Sequence, residues 1–481
     1  MASELKQKTA KGLVWGGAIT MLQQMLALVF GAIIARILSP SDYGMVGMLN
    51  IFTALATVLQ ESGFVYVLTN REGINKIEYS SVFWFNILVS LSIYTVFFIT
   101  APLLGLYFMN DQIVPLSRYV FLGFFISSFG IIQSAVLYKQ MRVKERLIAS
   151  FVGFLFAGII GIVLALNGFA YWGLATQSIV ATLVSTTLLW FFSPFRPLFK
   201  VDFKFLKSIL PDGLRFSLPN LISVVSVNIY SLILGRYYTV KDVGFYSQAA
   251  KFETYGYSVT LGMIRDVSQP MFVQVKDNPK QLLSAFRKMV RFTGLVSLPL
   301  MFGISLIAPE FVSVLLSPKW YYSGLILRIL CIGGAFVALS TLATYYFVSE
   351  NKSALYMWLG IIGSSIRIVF AVFSSFWGIM SLAYTLASLD IIGFIVYYTI
   401  TNRLLHYSFI MILEDLAPIL ISTMIAILFS FLITSTIDNT FELMIAKSIL
   451  YTILFIGILN FWKFDVFEEA KGKVLGKLKK I

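Results

Sequence analysis

Apolar runs of twenty or more residues follow one another along the whole chain, each closed by a short segment where Lys, Arg, Pro, Asn or Gly collects. A hydrocarbon core of ~30 Å takes about 20 helical residues. Runs of that length lie at about 13–36, 44–68, 81–107, 116–138, 147–167, 170–192, 216–236, 244–264, 292–316, 323–348, 355–374, 377–400, 416–435 and 444–462. The pattern predicts about 14 transmembrane helices and an all-α polytopic membrane protein. The first run is too long for the apolar part of a signal peptide and is followed by no A-x-A-like cleavage site, so it reads as a retained helix.

Between the runs, three segments show helical apolar stripes. Phe199, Phe203, Leu206 and Leu210 make one; Leu282, Leu283, Phe286, Met289 and Val290 make a second; Val466, Phe467, Ala470, Val474, Leu478 and Ile481 make a third. Basic amphipathic helices of this kind lie on a membrane surface and are held there by anionic lipid. Docking of a partner enzyme is the competing reading of the same stripes.

Composition agrees with the pattern: 58% of the 481 residues are hydrophobic and 12% charged, where a soluble domain carries roughly a quarter charged. A single Cys331 and a single His406 exclude a disulfide framework and a Cys/His metal centre. No G-x-x-x-x-G-K-[ST] loop is present, so ATP hydrolysis at a Walker site is excluded.

The net charge of +14 is a topology signal. With the N-terminus inside, 28 of the 37 Lys and Arg fall on inner segments, five on outer ones and four within spans. That excess places both termini in the cytoplasm and removes the need for a nucleic-acid partner. The expected organisation is an N-terminal lobe of six helices (1–195), a cytoplasmic linker with an amphipathic helix (196–215) and a second six-helix lobe (216–402). A C-terminal helix pair (403–462) and a basic amphipathic tail (463–481) follow.

The two lobes repeat. "ARILSPSDYG" at 35–44 returns as "GRYYTVKDVG" at 235–244, with Arg36, Asp42 and Gly44 matched by Arg236, Asp242 and Gly244. Six spans separate the copies, an even number, which gives a parallel repeat about an axis along the membrane normal. Ser39-x-x-Asp42 and Thr239-x-x-Asp242 fit a helix capping box, with Pro40 at the first helical position. Arg36 and Arg236 then lie in the last turn of the preceding helix. The repeated motif reads as scaffold.

Charges present in one copy only are better functional candidates. At an offset of 200, Ile51 becomes Lys251 and Thr53 becomes Glu253. Lys251 lies near membrane depth, where an ionisable residue by default faces a cavity or a partner. Gln248 and Tyr255 share its helix face and Glu253 does not. Arg367 and Asp390 sit mid-helix in spans 11 and 12 and either neutralise each other as a packing pair or serve transport. Arg328, near an outer end, is placed to snorkel. Gln23, Gln24, Asn50 and Asn228 either line the same path or bond helix to helix.

The stretch "KGLVWGGAITMLQQ…ARILSPSDYGMVGMLNIFTALATVLQESGF", with "SQPMF" and "LSPKWYYSG" further on, resembles the polysaccharide-export branch of the multidrug/oligosaccharidyl-lipid/polysaccharide (MOP) exporter superfamily. These are Wzx-type flippases, with the WzxC-like subgroup most similar. The resemblance implies two six-helix lobes about a cavity, two extra helices, and no enzyme activity. It implies alternating access that moves an undecaprenyl-diphosphate-linked oligosaccharide, the repeat unit of a lipopolysaccharide, capsule or exopolysaccharide, across the bacterial cytoplasmic membrane. A cationic cavity for the diphosphate would use Lys251 and Arg367, with Gln248, Gln23, Gln24 and Asn50. Coupling to Na+ or H+ would use Asp390, Asn228 and Glu253, and the partner enzymes the resemblance implies are a polysaccharide polymerase or glycosyltransferases. Two rivals remain: a MATE-like small-molecule antiporter, which needs buried carboxylates for organic cations, and a membrane polymerase or ligase. The latter needs acid–base groups on sizeable outer loops, and the outer loops here are short.

Overall fold

The computed structural model describes residues 22–61 and 73–462, with 19, 68, 71, 464, 467 and 468. The side chains of 61, 212–220, 223, 266 and 353 are outside the description. Helices follow in chain order: α1 Leu22–Ile37, α2 Pro40–Gln60 with a turn at Met48 and Leu49, α3 Lys76–Phe108, α4 Ile113–Lys139, α5 Val143–Leu166, α6 Ala170–Phe192 and α7 Phe203–Tyr237. Then come α8 Val240–Val275, α9 Pro279–Leu316, α10 Tyr321–Ser349, α11 Ser353–Ser375, α12 Ile379–Leu405, α13 Phe409–Ile433 and α14 Thr440–Phe461. Each predicted run corresponds to one of these helices, and the described residues contain no strand. Eleven helices among the described residues are long and apolar enough to cross a membrane. Of the other three, the described part of α1 is short, α8 carries charged and polar residues along much of its length, and α7 includes residues whose side chains are outside the description. The chain is a multi-pass helical membrane protein.

Two compact units divide the chain at Gly244 and Phe245. The boundary expected at 215/216 falls inside α7, because the linker helix and the seventh span are one continuous helix of 35 residues. At ~1.5 Å per residue such a helix exceeds a ~30 Å core by about 20 Å. Helices α8 and α9, with 36 and 38 residues, overrun it likewise.

In the first unit, both capping boxes form as the spacing predicts. Ser39 caps α2: the Asp42 amide donates to Ser39 Oγ (3.3 Å), and the Ser39 amide donates to the Asp42 carboxylate (2.8 Å). Thr239 and Asp242 repeat this at 3.2 Å in both directions. Arg236 closes the last turn of α7 and also donates to the Tyr107 carbonyl at the end of α3 (2.8 Å). The two copies of the motif meet. A Cβ added at Gly44 would fall on the Val240 carbonyl oxygen, and one added at Gly244 would fall on that of Pro40. The glycines let two helix starts cross backbone to backbone. Gly44→Ala is expected to destabilise by roughly 1–3 kcal/mol through overpacking. Gly262→Ala, where nothing lies within 4 Å, should be neutral or slightly stabilising, and parallel melting curves compare the two.

Also in this unit, Gln60 is buried (2% exposed). Its amide donates to Ser90 Oγ (2.8 Å) and the Phe124 carbonyl (2.6 Å) and accepts from Ser127 Oγ (2.9 Å). It ties α2 to α3 and α4 through a fully used polar group.

In the second unit, the stripe on 282–290 is core, which corrects its reading as a membrane-surface face. Phe286 is ringed by Phe272, Tyr346, Tyr398 and Tyr407 at centroid distances of 5.5 to 6.1 Å. The inner extension of α9 packs on protein because a charge knot holds it there. Asp415 at the start of α13, with no side-chain exposure, accepts from Arg287 Nε and Nη2 (2.9 and 2.8 Å), Arg291 Nε (2.6 Å) and the Tyr407 hydroxyl (2.8 Å). Burial, with Tyr398 and Asp415 beside it, raises the Tyr407 phenol above its ordinary range. The first stripe is split: Leu206 is buried, while Phe199, Phe203 and Leu210 are exposed. The third lies outside the described residues but for Phe467.

Candidate functional site: a charged cluster on helices α8, α10, α11 and α12

Helix α8 places its polar residues on two faces. Gln248 is buried (4% exposed), and one turn on, Lys251 exposes its side chain with its Nζ 5.9 Å from the centroid of the Tyr255 ring. No acid among the described residues pairs with this lysine. A lysine at membrane depth without a carboxylate is free to meet an anion.

Glu253, two residues further and about 200° round the helix, turns into the second unit. Its Oε1 lies 3.1 Å from the point a Cβ of Gly334 would occupy. Arg367 on α11 pairs with Asp390 on α12 (2.8 Å; side chains 34% and 8% exposed). Asp390 Oδ2 lies 3.1 Å from the corresponding point at Gly333. The double glycine of α10 thus opens the room that both carboxylates fill. Glu253 is within electrostatic reach of Arg367 and Asp390. The cluster holds two acids and one guanidinium, so with all three ionised it carries one surplus negative charge. A proton or a small cation neutralises that surplus.

The structure therefore brings together Glu253, Arg367 and Asp390, and keeps Lys251 and Gln248 on other faces of α8. Arg367 is committed to Asp390, the packing-pair alternative left open by the sequence. Gln23, Gln24, Asn50 and Asn228 belong to the first unit. Gln23 donates to Ser150 Oγ on α5 (3.2 Å), a helix-to-helix bond, and Asn228 to the Val224 carbonyl of its own helix (3.0 Å). Gln24 and Asn50 are exposed. No group of three His, Cys, Asp or Glu among the described residues could hold a metal ion.

Sequence reasoning missed a second membrane-depth pair. Lys447 on α14 binds Glu310 on α9 (2.7 Å; 6% and 12% exposed) and lies 5.7 Å from the Phe431 ring centroid. The lysine was visible inside a span. Its partner, 137 residues away, carried no local signal.

Solved structures share this all-helical fold. The fold is similar to that of the lipid II flippase MurJ in an inward closed conformation (TM-score 0.75, 14% identity, 96% of this chain and 99% of that one). It is also similar to an inward-facing multidrug resistance MATE family transporter of the MOP superfamily (TM-score 0.66, 18% identity, 82% and 98%). The polysaccharide biosynthesis protein family matches residues 33–325, and the chain belongs to it. Among its relatives, lipopolysaccharide biosynthesis protein WzxC of Escherichia coli (strain K12) is 23% identical over 345 residues, 69% of this chain and 68% of that protein. Succinoglycan biosynthesis transport protein ExoT of Rhizobium meliloti (strain 1021) is 23% identical over 334 residues (69% and 68%). Teichuronic acid biosynthesis protein TuaB of Bacillus subtilis (strain 168) is 21% identical over 341 residues (69% and 69%).

Proposed function

We propose that this chain is a flippase that carries a polyprenyl-diphosphate-linked oligosaccharide from the inner to the outer leaflet of a bacterial cytoplasmic membrane by alternating access, with both termini cytoplasmic. The observation that carries this reading is membership of the polysaccharide biosynthesis protein family, whose relatives are named for the biosynthesis of lipopolysaccharide, succinoglycan and teichuronic acid. The likeness to a lipid II flippase supplies a matching fold, and the charge distribution supports the reading.

The exposed cation Lys251 meets the diphosphate, where one cation–anion contact in a dry site is stronger than in water. The polyprenyl tail stays in lipid. Glu253 and Asp390 exchange the coupling ion, a proton or Na+, beside Arg367. Lys251→Ala is expected to lower transport severalfold while the protein folds and inserts normally, and Lys251→Arg to retain part of it. Normal glycan export by a well-expressed Lys251→Ala variant would remove the lysine from the path.

The decisive experiment depletes the protein in cells and measures the leaflet of the lipid-linked oligosaccharide together with surface glycan. Completed units trapped in the inner leaflet, with surface glycan lost, are expected, and their mass names the cargo. Units that reach the outer leaflet but stay unpolymerised point to a polymerase or ligase. Unchanged glycan with altered tolerance of organic cations points to the small-molecule antiporter, the reading that the MATE-like fold favours.

A further inference from the structure

The connector between α6 and α7 is a built surface. Its backbone is pinned to the start of α3: the Leu198 amide donates to Ser80 Oγ (2.9 Å), the Asp202 amide to Ser81 Oγ (2.6 Å), and the Trp84 indole to the Leu198 carbonyl (2.8 Å). Phe195, Phe205, Leu206 and Ile209 enter the core of the first unit. On the other side, Phe199 is 91% and Phe203 77% exposed, and the backbone that presents them is fixed. Three exposed lysines, Lys200, Lys204 and Lys207, alternate with these rings. No ion pair among the described residues involves them. The one carboxylate of the segment, Asp202, is occupied as the cap of α7, accepting from the Phe205 amide (3.0 Å). Arg71 adds a further exposed cation from another segment, donating to Ser208 Oγ (3.3 Å).

The depth of this surface follows from Trp84. Phe199 stacks on it (centroids 5.0 Å apart, 29° between planes). Trp84 lies eight residues into α3, about 12 Å from its start, which places both rings at the level of an interfacial aromatic belt. Rings at that depth with lysines of one sign between them match the acyl–headgroup boundary of an anionic leaflet.

We propose that Phe199, Phe203, Lys200, Lys204 and Lys207 bind the headgroups of anionic phospholipids in the cytoplasmic leaflet. The bound lipid grips the inner end of α7, a single helix that reaches Arg236 at its other end. The transport rate then depends on the anionic fraction of the membrane. This surface is independent of which cargo is moved, so its test does not stand or fall with the flippase reading.

The test uses the full chain in nanodiscs of phosphatidylcholine with or without phosphatidylglycerol. A nitroxide at Phe203→Cys, or at Lys200→Cys if the first variant folds poorly, reports immersion depth through its accessibility to oxygen and to a water-soluble nickel complex. Quenching by headgroup-labelled phosphatidylglycerol against phosphatidylcholine reports lipid preference. Immersion at the headgroup boundary is expected, with a preference for the anionic lipid. That preference should fall about tenfold or more in the Lys200→Gln/Lys204→Gln/Lys207→Gln variant, since each lysine near an anionic surface contributes severalfold. A label in bulk water with no lipid preference overturns the proposal. So does a label that is shielded in native membranes but bare in nanodiscs, which assigns the surface to a protein partner instead.

Discussion

Asp415→Ala is expected to destabilise the protein by about 3–5 kcal/mol, the range for breaking a buried ion pair from one side. The carboxylate accepts four hydrogen bonds from three residues. Its removal takes this acceptor from Arg287 and Arg291, whose side chains are only 23% and 26% exposed, and from the buried Tyr407 hydroxyl. Glu414 still accepts from Arg287 (3.0 Å), but it is 58% exposed and compensates little. Arg287→Ala and Arg291→Ala should each cost less, because either leaves Asp415 with the remaining partners, and the double variant should be non-additive. Thermal melting in detergent checks this. A melting point for Asp415→Ala equal to that of the parent would show that the knot is not what holds α9 against α13.

The cluster around Arg367 should respond differently, in transport before stability. Glu253→Gln removes the surplus acid and leaves the Arg367–Asp390 pair intact, so the protein folds while its transport loses its response to a proton or Na+ gradient. A loss of about tenfold or more in gradient-driven flux, 1.4 kcal/mol or more in coupling, is the expected reading in proteoliposomes. Unaltered gradient dependence would exclude Glu253 from coupling. Arg367→Ala takes the partner cation from Asp390 and should destabilise by roughly 3 kcal/mol, the low end for breaking a buried pair from one side, read from melting in detergent.

The helices were legible because a run of apolar residues has to be long enough to cross a bilayer wherever it folds, and the capping boxes because Ser39, Thr239 and their acids act within one turn. Lengths were less legible. The polar extensions of α7, α8 and α9 continue a helix past the membrane without changing the apolar pattern that marks the span. The stripe at 282–290 shows a second limit, since a helical apolar face looks the same whether lipid or protein covers it. What decided it was Asp415, more than 120 residues away along the chain, which beside Glu414 reads as an ordinary interfacial acid. Gln60 and the Glu310–Lys447 pair were hidden for the same reason: their partners are tertiary. For the candidate cluster, comparing the two copies singled out Lys251 and Glu253, and only the packing of α10 against α8 and α12 separated the exposed lysine from the half-buried acid.

The crossing of Gly44 and Gly244 bears on ancestry. Two identical subunits meeting at such a crossing would form a dimer in which every substitution arrives twice, once on each side of the axis. A Lys and a Glu acquired at positions 51 and 53 would then appear in duplicate, doubling the charge at membrane depth that the bilayer resists. Fusion into one chain lifts that constraint: Ile51 stays apolar and buried while its counterpart becomes Lys251. Each glycine at the crossing faces the carbonyl of the first residue of the other copy's helix, Val240 for Gly44 and Pro40 for Gly244, so a side chain at either position is expected to be accommodated only if that backbone shifts.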